Sequence, residues 1–321
     1  MPSSLSETTG LEPAAARGSL VSAGRRFGAV AGRRDALTGY LFVAPAVLGF
    51  LLFVLGPLLA ALAISTTRYD VLTPPRFIGL DNYRRMLDDD RLLRAYGNTL
   101  IYVTAAVVLM TVLGLVLALM LNQRFPKPIV YVLRSAYFFP SLVGLVYVAT
   151  IWQALFQKDT GIINYYLAFA GGPRPDWLNS PNGSIATVVI VDVWRNVGFG
   201  MLILLAALQD VPRDLIDAAR VDGANAWNLF RHVTLPAISP AVFFVVTITV
   251  IGAFQIYESV VVLTGGGPGD SSRSVVMYIA EKGFQDFDMG YASAIAVTLF
   301  AVIVCTTVLQ FRIRRRWVHV E

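Results

Sequence analysis

Residues 95–123 read AYGNTLIYVTAAVVLMTVLGLVLALMLNQ, a run that contains no Asp, Glu, Lys or Arg. A helix that crosses the hydrocarbon layer of a bilayer needs about 20 apolar residues, because that layer is about 30 Å thick. This run is long enough to cross the layer as a helix. It therefore predicts a membrane-spanning segment and decides the fold class.

Other parts of the chain show the same pattern. Uncharged runs occupy 36–67, 135–157 and 289–311, and the apolar segments 184–209 and 237–263 carry only a few ionisable residues. An all-α integral membrane protein is the predicted fold class. We expect six transmembrane helices, near 40–65, 97–121, 134–156, 184–208, 237–263 and 290–311.

The overall composition supports this fold class. The chain of 321 residues is 56% hydrophobic and 15% charged, with a mean hydropathy of +0.62, whereas soluble domains carry about 25% charged residues. Cys305 is the single cysteine, and His232 and His319 are the two histidines. One cysteine and two histidines are too few for a disulfide scaffold or for a Cys/His metal centre. We therefore expect no bound metal and no catalytic residue.

The ends of the chain differ in composition from its centre. We expect residues 1–37, rich in Ser, Ala, Gly and Arg, to form a disordered basic tail. A transmembrane domain of residues 38–311 would follow, with a second basic tail at 312–321. The first apolar run is much longer than the 7–15 apolar residues of a signal peptide, so we expect it to remain as an uncleaved helix.

The distribution of Lys and Arg predicts the orientation. With six spans, the tails and the loops 122–134 and 210–236 share one side of the membrane. They hold 15 of the 26 Lys and Arg residues, against 10 in the loops on the other side. Because cytoplasmic loops are enriched in Lys and Arg, we expect both termini to be cytoplasmic.

The loop 210–236 discriminates among three classes of membrane protein: a subunit of an ATP-driven importer, an ion-gradient-driven secondary transporter or channel, and a membrane enzyme. It reads DVPRDLIDAARVDGA over 210–224 and ends in VTLP at 233–236. Ala218, Ala219 and Gly223 leave a surface that another backbone can approach, and Asp217 and Asp222 offer carboxylates to basic partners. These properties alone also fit an ordinary charged surface helix.

The spacing within this loop resembles the EAA motif of ABC-importer permeases. That motif is Glu-Ala-Ala, three residues, Gly, nine residues, Ile, one residue and Leu-Pro. Asp217 stands in the Glu position and Val233 in the Ile position. The residues that this resemblance assigns to contact with the ATPase are Asp217, Ala218, Ala219, Asp222, Gly223, Leu235 and Pro236.

Further segments resemble the carbohydrate branch of these importers, which includes maltose and glycerol-phosphate permeases. They are FIGLDNY at 77–83, DWL at 176–178, LAALQ at 205–209, FQIYE at 254–258, LTGGGP at 263–268 and GYASA at 290–294. The resemblance implies a type I importer permease fold with a cytoplasmic coupling helix, located in a bacterial cytoplasmic membrane. It also implies four kinds of neighbour: a second permease, two ATPase subunits at the coupling loop, an extracytoplasmic binding protein and the lipid bilayer.

The glycine-rich run 265–269 does not predict a nucleotide site. No Gly-Lys dipeptide occurs in the chain, and a Walker A loop needs that lysine to reach the phosphates. We therefore expect no ATPase activity and no bound cofactor here, because ATP and Mg would be used by the partner ATPase subunits. Nucleic acid is not an expected partner.

Polar residues interrupt the fourth and fifth predicted spans. A charge at the bilayer centre costs at least about 2.5–3.5 kcal/mol on insertion scales, so such groups usually face a cavity or a partner. Asp192 and Arg195 are three residues apart and could pair, and structural ion pairing is an alternative role for the whole set. The resemblance to the maltose permease places a sugar site at Arg195, Asn196 and Phe199, facing Thr249, Gly252, Ala253 and Ile256. To these we add the polar neighbours Gln255, Tyr257 and Glu258.

The transported compound is less determined than the class of protein. A hydroxylated ligand needs several polar partners and an apolar face, and the predicted set offers both. We expect the chain to form half of the path for an uncharged mono- or oligosaccharide delivered by an external binding protein. Glycerol phosphate or a related phosphodiester is the second possibility, and an ion-gradient-driven secondary transporter is the alternative of a different class.

Overall fold

The structure is a computed structural model that describes residues 33–123 and 125–314. The described chain divides into two compact units, one ending at Ala60 and the other beginning at Ala61. Of the predicted tails, residues 1–32 and 315–321 lie outside the described residues. The rest of both tails is helical.

The first predicted span is a helix, as expected. Helix α1, Arg33–Phe50, continues through a π-helical turn, Leu51–Leu55, into α2, Gly56–Ile64. Within this stretch, Thr38–Ile64 is long and apolar enough to cross a membrane.

A short polar segment leads into the second span. Two two-residue strands, β1 at Thr67–Arg68 and β2 at Arg76–Phe77, pair in antiparallel orientation. Helix α3, Asp81–Leu87, follows them, and α4, Asp90–Leu121, forms the second span. The Asp89 carboxylate caps α4 by accepting hydrogen bonds from the first backbone N–H groups of the helix.

The third predicted span, 134–156, is wrong as a single straight helix. Helices α5, Lys127–Leu142, and α6, Leu145–Leu155, meet at an angle of 99°. Pro140 in the last turn of α5 has no backbone N–H to donate, and Val143 adopts an extended conformation. The chain therefore bends within an uncharged segment.

The fourth span is continuous. After α7, Ile162–Phe169, helix α8 runs over Pro181–Asp210, and Ser180 caps its start by accepting a hydrogen bond from a backbone N–H. The coupling loop then forms α9, Arg213–Val221, and α10, Ala226–Leu229. A π-helical turn, Phe230–Thr234, leads into the three-residue helix α11, Leu235–Ala237.

The fifth predicted span, 237–263, is also interrupted. Helix α12 ends at Phe254 and α13 begins at Glu258, so Gln255, Ile256 and Tyr257 are not helical. Gln255 and Glu258 marked this stretch as polar in the sequence, but that pattern did not predict that the helix stops there. The bounds of the two helices are Ser239–Phe254 for α12 and Glu258–Leu263 for α13.

The last elements complete the fold. Helix α14, Val275–Ala280, passes through a π-helical turn, Glu281–Gln285, and α15, Met289–Arg314, forms the final span. Within the described residues, four helices can cross a membrane by length and composition. Two bent pairs raise the number to six: α5 with α6, and Ala226–Ala237 with α12, which meet at 68°. The all-α membrane fold predicted from the sequence is confirmed.

The core of the second unit is built around α4 and α8. Gly114 of α4 lies against the backbone of α8, because a Cβ atom at this position would be only 3.3 Å from the backbone nitrogen of Met201. Small residues of this kind let transmembrane helices approach closely. The two central helices thereby pack closely beside the cavity described next.

Candidate functional site

A cavity of about 740 Å³ lies within the second unit, between α4, α5, α8 and α12. Much of its wall is apolar, and the aromatic rings of Phe138 and Phe199 are part of it. The polar or ionisable residues that line it are Tyr102, Ser141, Asp192, Asn196, Thr249, Gln255, Tyr257, Glu258 and Ser259. The cavity therefore combines a mainly apolar wall with a limited number of hydrogen-bonding groups.

The gap between α12 and α13 forms one side of the cavity. The backbone N–H of Gln255 donates to the carbonyl oxygen of Gly252 at 3.0 Å, and that of Ile256 donates to Ala253 at 3.3 Å. At membrane depth, non-helical backbone is tolerated only where it is buried in protein or lines a water-filled cavity. The interruption thus fits a polar cavity within the membrane domain.

Most of the predicted substrate residues lie together around this cavity. Asn196, Phe199, Gln255, Tyr257 and Glu258 all line it. The four small or apolar residues that the family resemblance assigned to the opposite side line it as well, namely Thr249, Gly252, Ala253 and Ile256. The fold therefore brings together two segments that are about 60 residues apart in sequence. Their role in substrate binding stays a prediction.

Arg195 has a different position from its predicted neighbours. It is absent from the residues that line the described cavity. Its Nη2 donates a hydrogen bond of 3.3 Å to the carbonyl oxygen of Val143, at the bend between α5 and α6. The last carbonyl groups of a helix lack intrahelical donors and attract cations. Arg195 therefore stabilises the bend in the wall of the cavity.

Asp192 is the centre of a hydrogen-bond network at the cavity wall. Its carboxylate accepts a short hydrogen bond from the Tyr102 hydroxyl, one of 3.1 Å from Asn196 Nδ2 and one of 3.4 Å from Ser259 Oγ. In the described part of the chain, the ion pairs within 4 Å do not include Asp192 with Arg195, although the charge of Arg195 still acts on the Asp192 carboxyl group through space. Tyr102 and Ser259 were missed because they are 90 and 67 residues away from Asp192.

The coupling segment, residues 210–236, forms the helix that the sequence predicted. Asp217 and Ala218 are exposed on α9, and the Asp217 carboxylate lies 3.4 Å from the Arg220 guanidinium. Both side chains of this ion pair are more than 60% exposed. The exposed apolar side chains of Leu215 and Trp227 lie on the same segment. Apolar and charged groups are thus available to a partner protein.

Gly223 ends α9 with a left-handed backbone conformation, at φ = +82°. Its N–H donates to the carbonyl oxygen of Arg220 at 3.1 Å, and the N–H of Ala224 donates to Ala219 at 2.9 Å. This pair of hydrogen bonds is the Schellman motif, which favours glycine because it has no Cβ. A Cβ atom at Gly223 would meet no other atom within 4 Å. The glycine is therefore explained by its backbone conformation.

The other coupling residues lie around this turn. Asp222 is the exposed C-cap of α9, Ala219 is partly buried in its last turns, and Leu235 and Pro236 begin α11 and are partly buried. The segment therefore combines an exposed helix with a more buried return to α12. Contact with an ATPase stays a prediction.

The segments 67–91 and 264–291 pack together, and we call them the cap. The Asp89 carboxylate accepts hydrogen bonds of 2.7 Å from both the Tyr278 and the Tyr291 hydroxyl groups. Burial opposes the charge of Asp89, but these hydrogen bonds outweigh it and hold its pKa below the usual value. Arg85 adds an ion pair of 2.7 Å with Asp288. Side-chain contacts thus join two loops that are distant in sequence.

A second charged cluster lies within the cap and includes Arg91 from the first turn of α4. Asp270 lies 2.9 Å from Arg91 and 2.6 Å from Arg273, and Arg273 also pairs with Glu281. Hydrogen bonds from Arg91 and Arg273 lower the pKa of Asp270 to about 2, against the opposing effect of burial. The Asp270 carboxylate is therefore charged over the whole physiological range of pH.

Comparison with known proteins gives close relatives over nearly the whole chain. The probable ABC transporter permease protein YesP of Bacillus subtilis (strain 168) is 35% identical over 294 residues, which cover 90% of this chain and 94% of that protein. The trehalose/maltose transport system permease protein MalF of Thermococcus litoralis is 32% identical, covering 88% of this chain and 95% of that protein.

Solved structures share the fold. A chain in the crystal structure of a bacterial alginate ABC transporter, in complex with an alginate pentasaccharide-bound periplasmic protein, superposes with a TM-score of 0.78. It is 23% identical, with 88% of this chain and 95% of that chain covered. At this identity the likeness shows the fold alone.

The family assignment rests on a match to most of the chain. The family described as the binding-protein-dependent transport system inner membrane component matches residues 93–319. Members of this family are transport permeases, which are not themselves catalytic. Since the match covers more than half of the sequence, the chain belongs to the family of inner membrane components of binding-protein-dependent transport systems.

Proposed function

We propose that this chain, which is a permease of a carbohydrate ABC importer, forms half of the path for an uncharged saccharide. The names of its relatives support a carbohydrate: besides the trehalose/maltose permease, the arabinooligosaccharides permease AraP of Bacillus subtilis (strain 168) is 33% identical over 85% of this chain. A sulfoquinovosyl glycerol permease of Agrobacterium fabrum is 32% identical over 88% of this chain. The compounds in these names differ, so we use the lining of the cavity to choose between a neutral saccharide and an anionic compound.

The observation that carries the proposal is the lining of the cavity. Its volume of about 740 Å³ lies within the range of about 300–1,000 Å³ that is usual for small-molecule sites. Asn196, Gln255 and Tyr257 supply hydrogen-bonding groups, while Phe138 and Phe199 supply an apolar face. A saccharide needs both, because its hydroxyl groups must exchange water for protein partners and its C–H faces are apolar.

The charges in the lining favour a neutral compound. Among the described residues that line the cavity, Asp192 and Glu258 are acidic and none is Lys, Arg or His. A carboxylate at Glu258 opposes the binding of an anion, and in a site of low dielectric constant this repulsion is strong. Arg195, which could have attracted a phosphate, is held at the bend by Val143. Glycerol phosphate is therefore the second candidate.

The rest of the importer follows from the coupling segment and the family. We propose that two ATPase subunits bind the exposed face of α9, that a second permease completes the path, and that an external binding protein delivers the saccharide. ATP and Mg would be used by the ATPase subunits. ATP binding would close them, move the coupling segment and open the cavity outward. Both termini would then be cytoplasmic, as the distribution of Lys and Arg predicts.

Reconstitution tests this proposal. The chain would be co-expressed with the permease, ATPase and binding-protein subunits encoded by its gene neighbours, purified, and placed in liposomes. Uptake of labelled trehalose, maltose, arabinotriose and glycerol 3-phosphate would be measured with and without ATP. We expect ATP-dependent uptake of a neutral saccharide, lowered by Asn196→Ala and unaffected by the exposed control Ser135→Ala.

Other outcomes decide among the alternatives. Uptake of glycerol 3-phosphate alone would contradict the neutral saccharide and support the phosphodiester. Uptake driven by a proton or sodium gradient without ATP would contradict the importer and support a secondary transporter.

A further inference from the structure

We propose that Asp192 is a positioning residue of the transport cavity: it orients the amide of Asn196 and fixes the start of α13. This inference rests on the proposed function, since it assumes that the cavity holds the transported compound. Asp192 was not among the residues that the sequence assigned to substrate binding. Its carboxylate instead links three segments that line the cavity, namely α4 through Tyr102, α8 through Asn196 and α13 through Ser259.

The first step of the argument is the orientation of the Asn196 amide. Its Nδ2 lies 3.1 Å from Asp192 Oδ1 and 3.0 Å from the backbone carbonyl oxygen of Asp192. A backbone carbonyl oxygen can only accept hydrogen bonds, so the nitrogen of the amide must face it, and the same nitrogen then reaches Asp192 Oδ1. The carbonyl oxygen Oδ1 of Asn196 is then turned the other way. Within the described part of the chain, no protein donor bonds to that oxygen, and Asn196 lines the cavity.

This orientation determines which hydrogen-bonding group Asn196 presents to the cavity. Asn196 offers the cavity an acceptor, which can bind a hydroxyl group of a saccharide. Its NH2 group, which could bind an ether or a carbonyl oxygen, is already used by Asp192. The carboxylate therefore selects for hydroxyl donors through its neighbour Asn196.

The second step concerns the gap between α12 and α13. Ser259 lies in the first turn of α13, directly after Tyr257 and Glu258, which line the cavity. Its hydroxyl donates to Asp192 Oδ1 at 3.4 Å. Residues 255–257 are not helical, so side-chain contacts at the start of α13 limit where this segment can lie. Asp192 provides one of these contacts from α8.

The third step is that hydrogen bonding, rather than charge, is the property required. Asn at position 192 can present its own Oδ1 to Asn196 and Ser259, and its NH2 group to Tyr102, whose hydroxyl oxygen can accept. Leu, of similar size, can do neither and leaves the Tyr102 hydroxyl unpaired. The two variants Asp192→Asn and Asp192→Leu therefore separate hydrogen bonding from charge.

The experiment uses the full importer in liposomes and the neutral saccharide among trehalose, maltose and arabinotriose that it takes up fastest. We expect Asp192→Leu to raise the KM for uptake by about tenfold, since an unpaired buried partner costs about that factor. We expect Asp192→Asn to restore most of the affinity, and Thr104→Val, an exposed site on α4, to leave uptake unchanged. A change in the amount of folded complex alone would not alter KM.

A second measurement needs no substrate. Cys305 is the single cysteine, so a Cys305→Ser, Val261→Cys chain carries one spin label, on α13. We expect the label's spectrum to show greater mobility with Asp192→Leu and unchanged mobility with Asp192→Asn.

The outcomes separate the two proposals. Unchanged KM and unchanged mobility in Asp192→Leu would overturn the positioning role, as would Asp192→Asn if it were as damaging as Asp192→Leu in both measurements. If the wild-type importer takes up none of the three saccharides, the proposed function fails, and the spin-label result alone decides whether Asp192 fixes α13.

Discussion

The hydroxyl group of Ser274 donates a hydrogen bond of 2.7 Å to the backbone carbonyl oxygen of Ile256, inside the gap between α12 and α13. Both residues are buried. The carbonyl group lies where the helix is interrupted, so it lacks a helical partner, and a buried carbonyl without a donor is costly. A serine from the cap therefore makes the interruption possible within the membrane domain.

We predict that Ser274→Ala destabilises the protein by about 1–3 kcal/mol, because the Ile256 carbonyl loses its donor in a buried site. The substitution also removes the cap of α14, where Ser274 Oγ accepts from the backbone N–H of Met277. The melting temperature of the purified complex in detergent would measure the effect. Ser274→Thr keeps the hydroxyl group and should retain most of the stability. Equal melting temperatures for wild type and Ser274→Ala would contradict this role.

Gly198 marks the closest approach of α8 to α5. A Cβ atom there would collide with the carbonyl oxygen of Tyr137 and lie 3.0 Å from the Cα of Phe138. We predict that Gly198→Ala forces α5 away from α8 and lowers the yield of folded protein, since packed interiors tolerate added atoms poorly. Gly97→Ala is the matched control, because nothing lies within 4 Å of its Cβ position on α4. Size-exclusion profiles of both variants would measure the difference, and equal profiles would argue against a close contact.

The spans could be predicted from the sequence because their signal is local. All but the last two residues of the uncharged run 95–123 lie within α4, and the length of such a run alone implies a membrane helix. The bend at Val143 could not be predicted, because it lies in an apolar stretch where charge gives no warning. The interruption at Ile256 lies between Gln255 and Glu258, which marked the place as polar without showing that the helix stops there. Whether such a stretch continues as a helix depends on distant groups, here Arg195 and Ser274, that satisfy its carbonyl oxygens.

The candidate site, like the fold, could be predicted only in part from the sequence. The sequence identified Asn196 and Glu258 as candidate site residues because polar residues are rare in membrane spans. It could not show that Arg195 turns away from the cavity, since the direction of a side chain depends on packing between helices. Tyr102 and Ser259 carry no local signal, because a tyrosine or serine in a span is common. Only the fold shows that they meet at Asp192.

The cap should respond to acid through Asp270, whose folded-state pKa is lowered to about 2 from an ordinary value of 3.8. A carboxyl group with a lowered pKa stabilises the folded state fully above its ordinary pKa, and this contribution is lost as the pH falls through the folded-state value. We therefore predict that Asp270→Asn lowers the melting temperature at pH 6, and that the difference from wild type shrinks as the pH falls below about 4.

The melting temperature in detergent, measured from pH 6 to pH 3, would test this prediction. Asn is chosen because Asp270 has φ = +67°, a conformation that Asn also adopts readily. Asp159→Asn, at an exposed position, is the control. A difference that stays constant or grows toward pH 3 would contradict the ion pairing of Asp270 with Arg91 and Arg273.

Asp217 offers a test of the coupling segment that leaves the fold intact. Its pairing with Arg220 is exposed, and exposed pairs contribute no more than about 1 kcal/mol. We predict that Asp217→Ala leaves the melting temperature nearly unchanged but lowers the amount of ATPase subunit that co-purifies with the permease. Asp217→Glu, which restores the residue usual in the family motif, should keep or improve recovery. Full ATPase recovery with Asp217→Ala would show that this carboxylate makes no contact with the ATPase.

Gly223 tests whether the shape of the turn, rather than free space, matters for coupling. Any residue with a Cβ pays about 1–2 kcal/mol for the left-handed conformation, and Asn tolerates it best. A Cβ meets no atom of this chain at that position. We therefore predict that Gly223→Ala and Gly223→Leu both reduce ATPase recovery and uptake, whereas Gly223→Asn stays near wild type.

The set of three substitutions at Gly223 separates two explanations. If backbone strain is the cause, the small Ala and the large Leu are both harmful, because both disturb the Schellman motif that joins Gly223 and Ala224 to the end of α9. If a partner's backbone packs against the glycine instead, damage should rise with side-chain volume, and Asn should be worse than Ala. ATPase co-purification and uptake would be measured together for each variant. Normal recovery and normal uptake with Gly223→Leu would refute the assignment of residues 210–236 as the coupling segment.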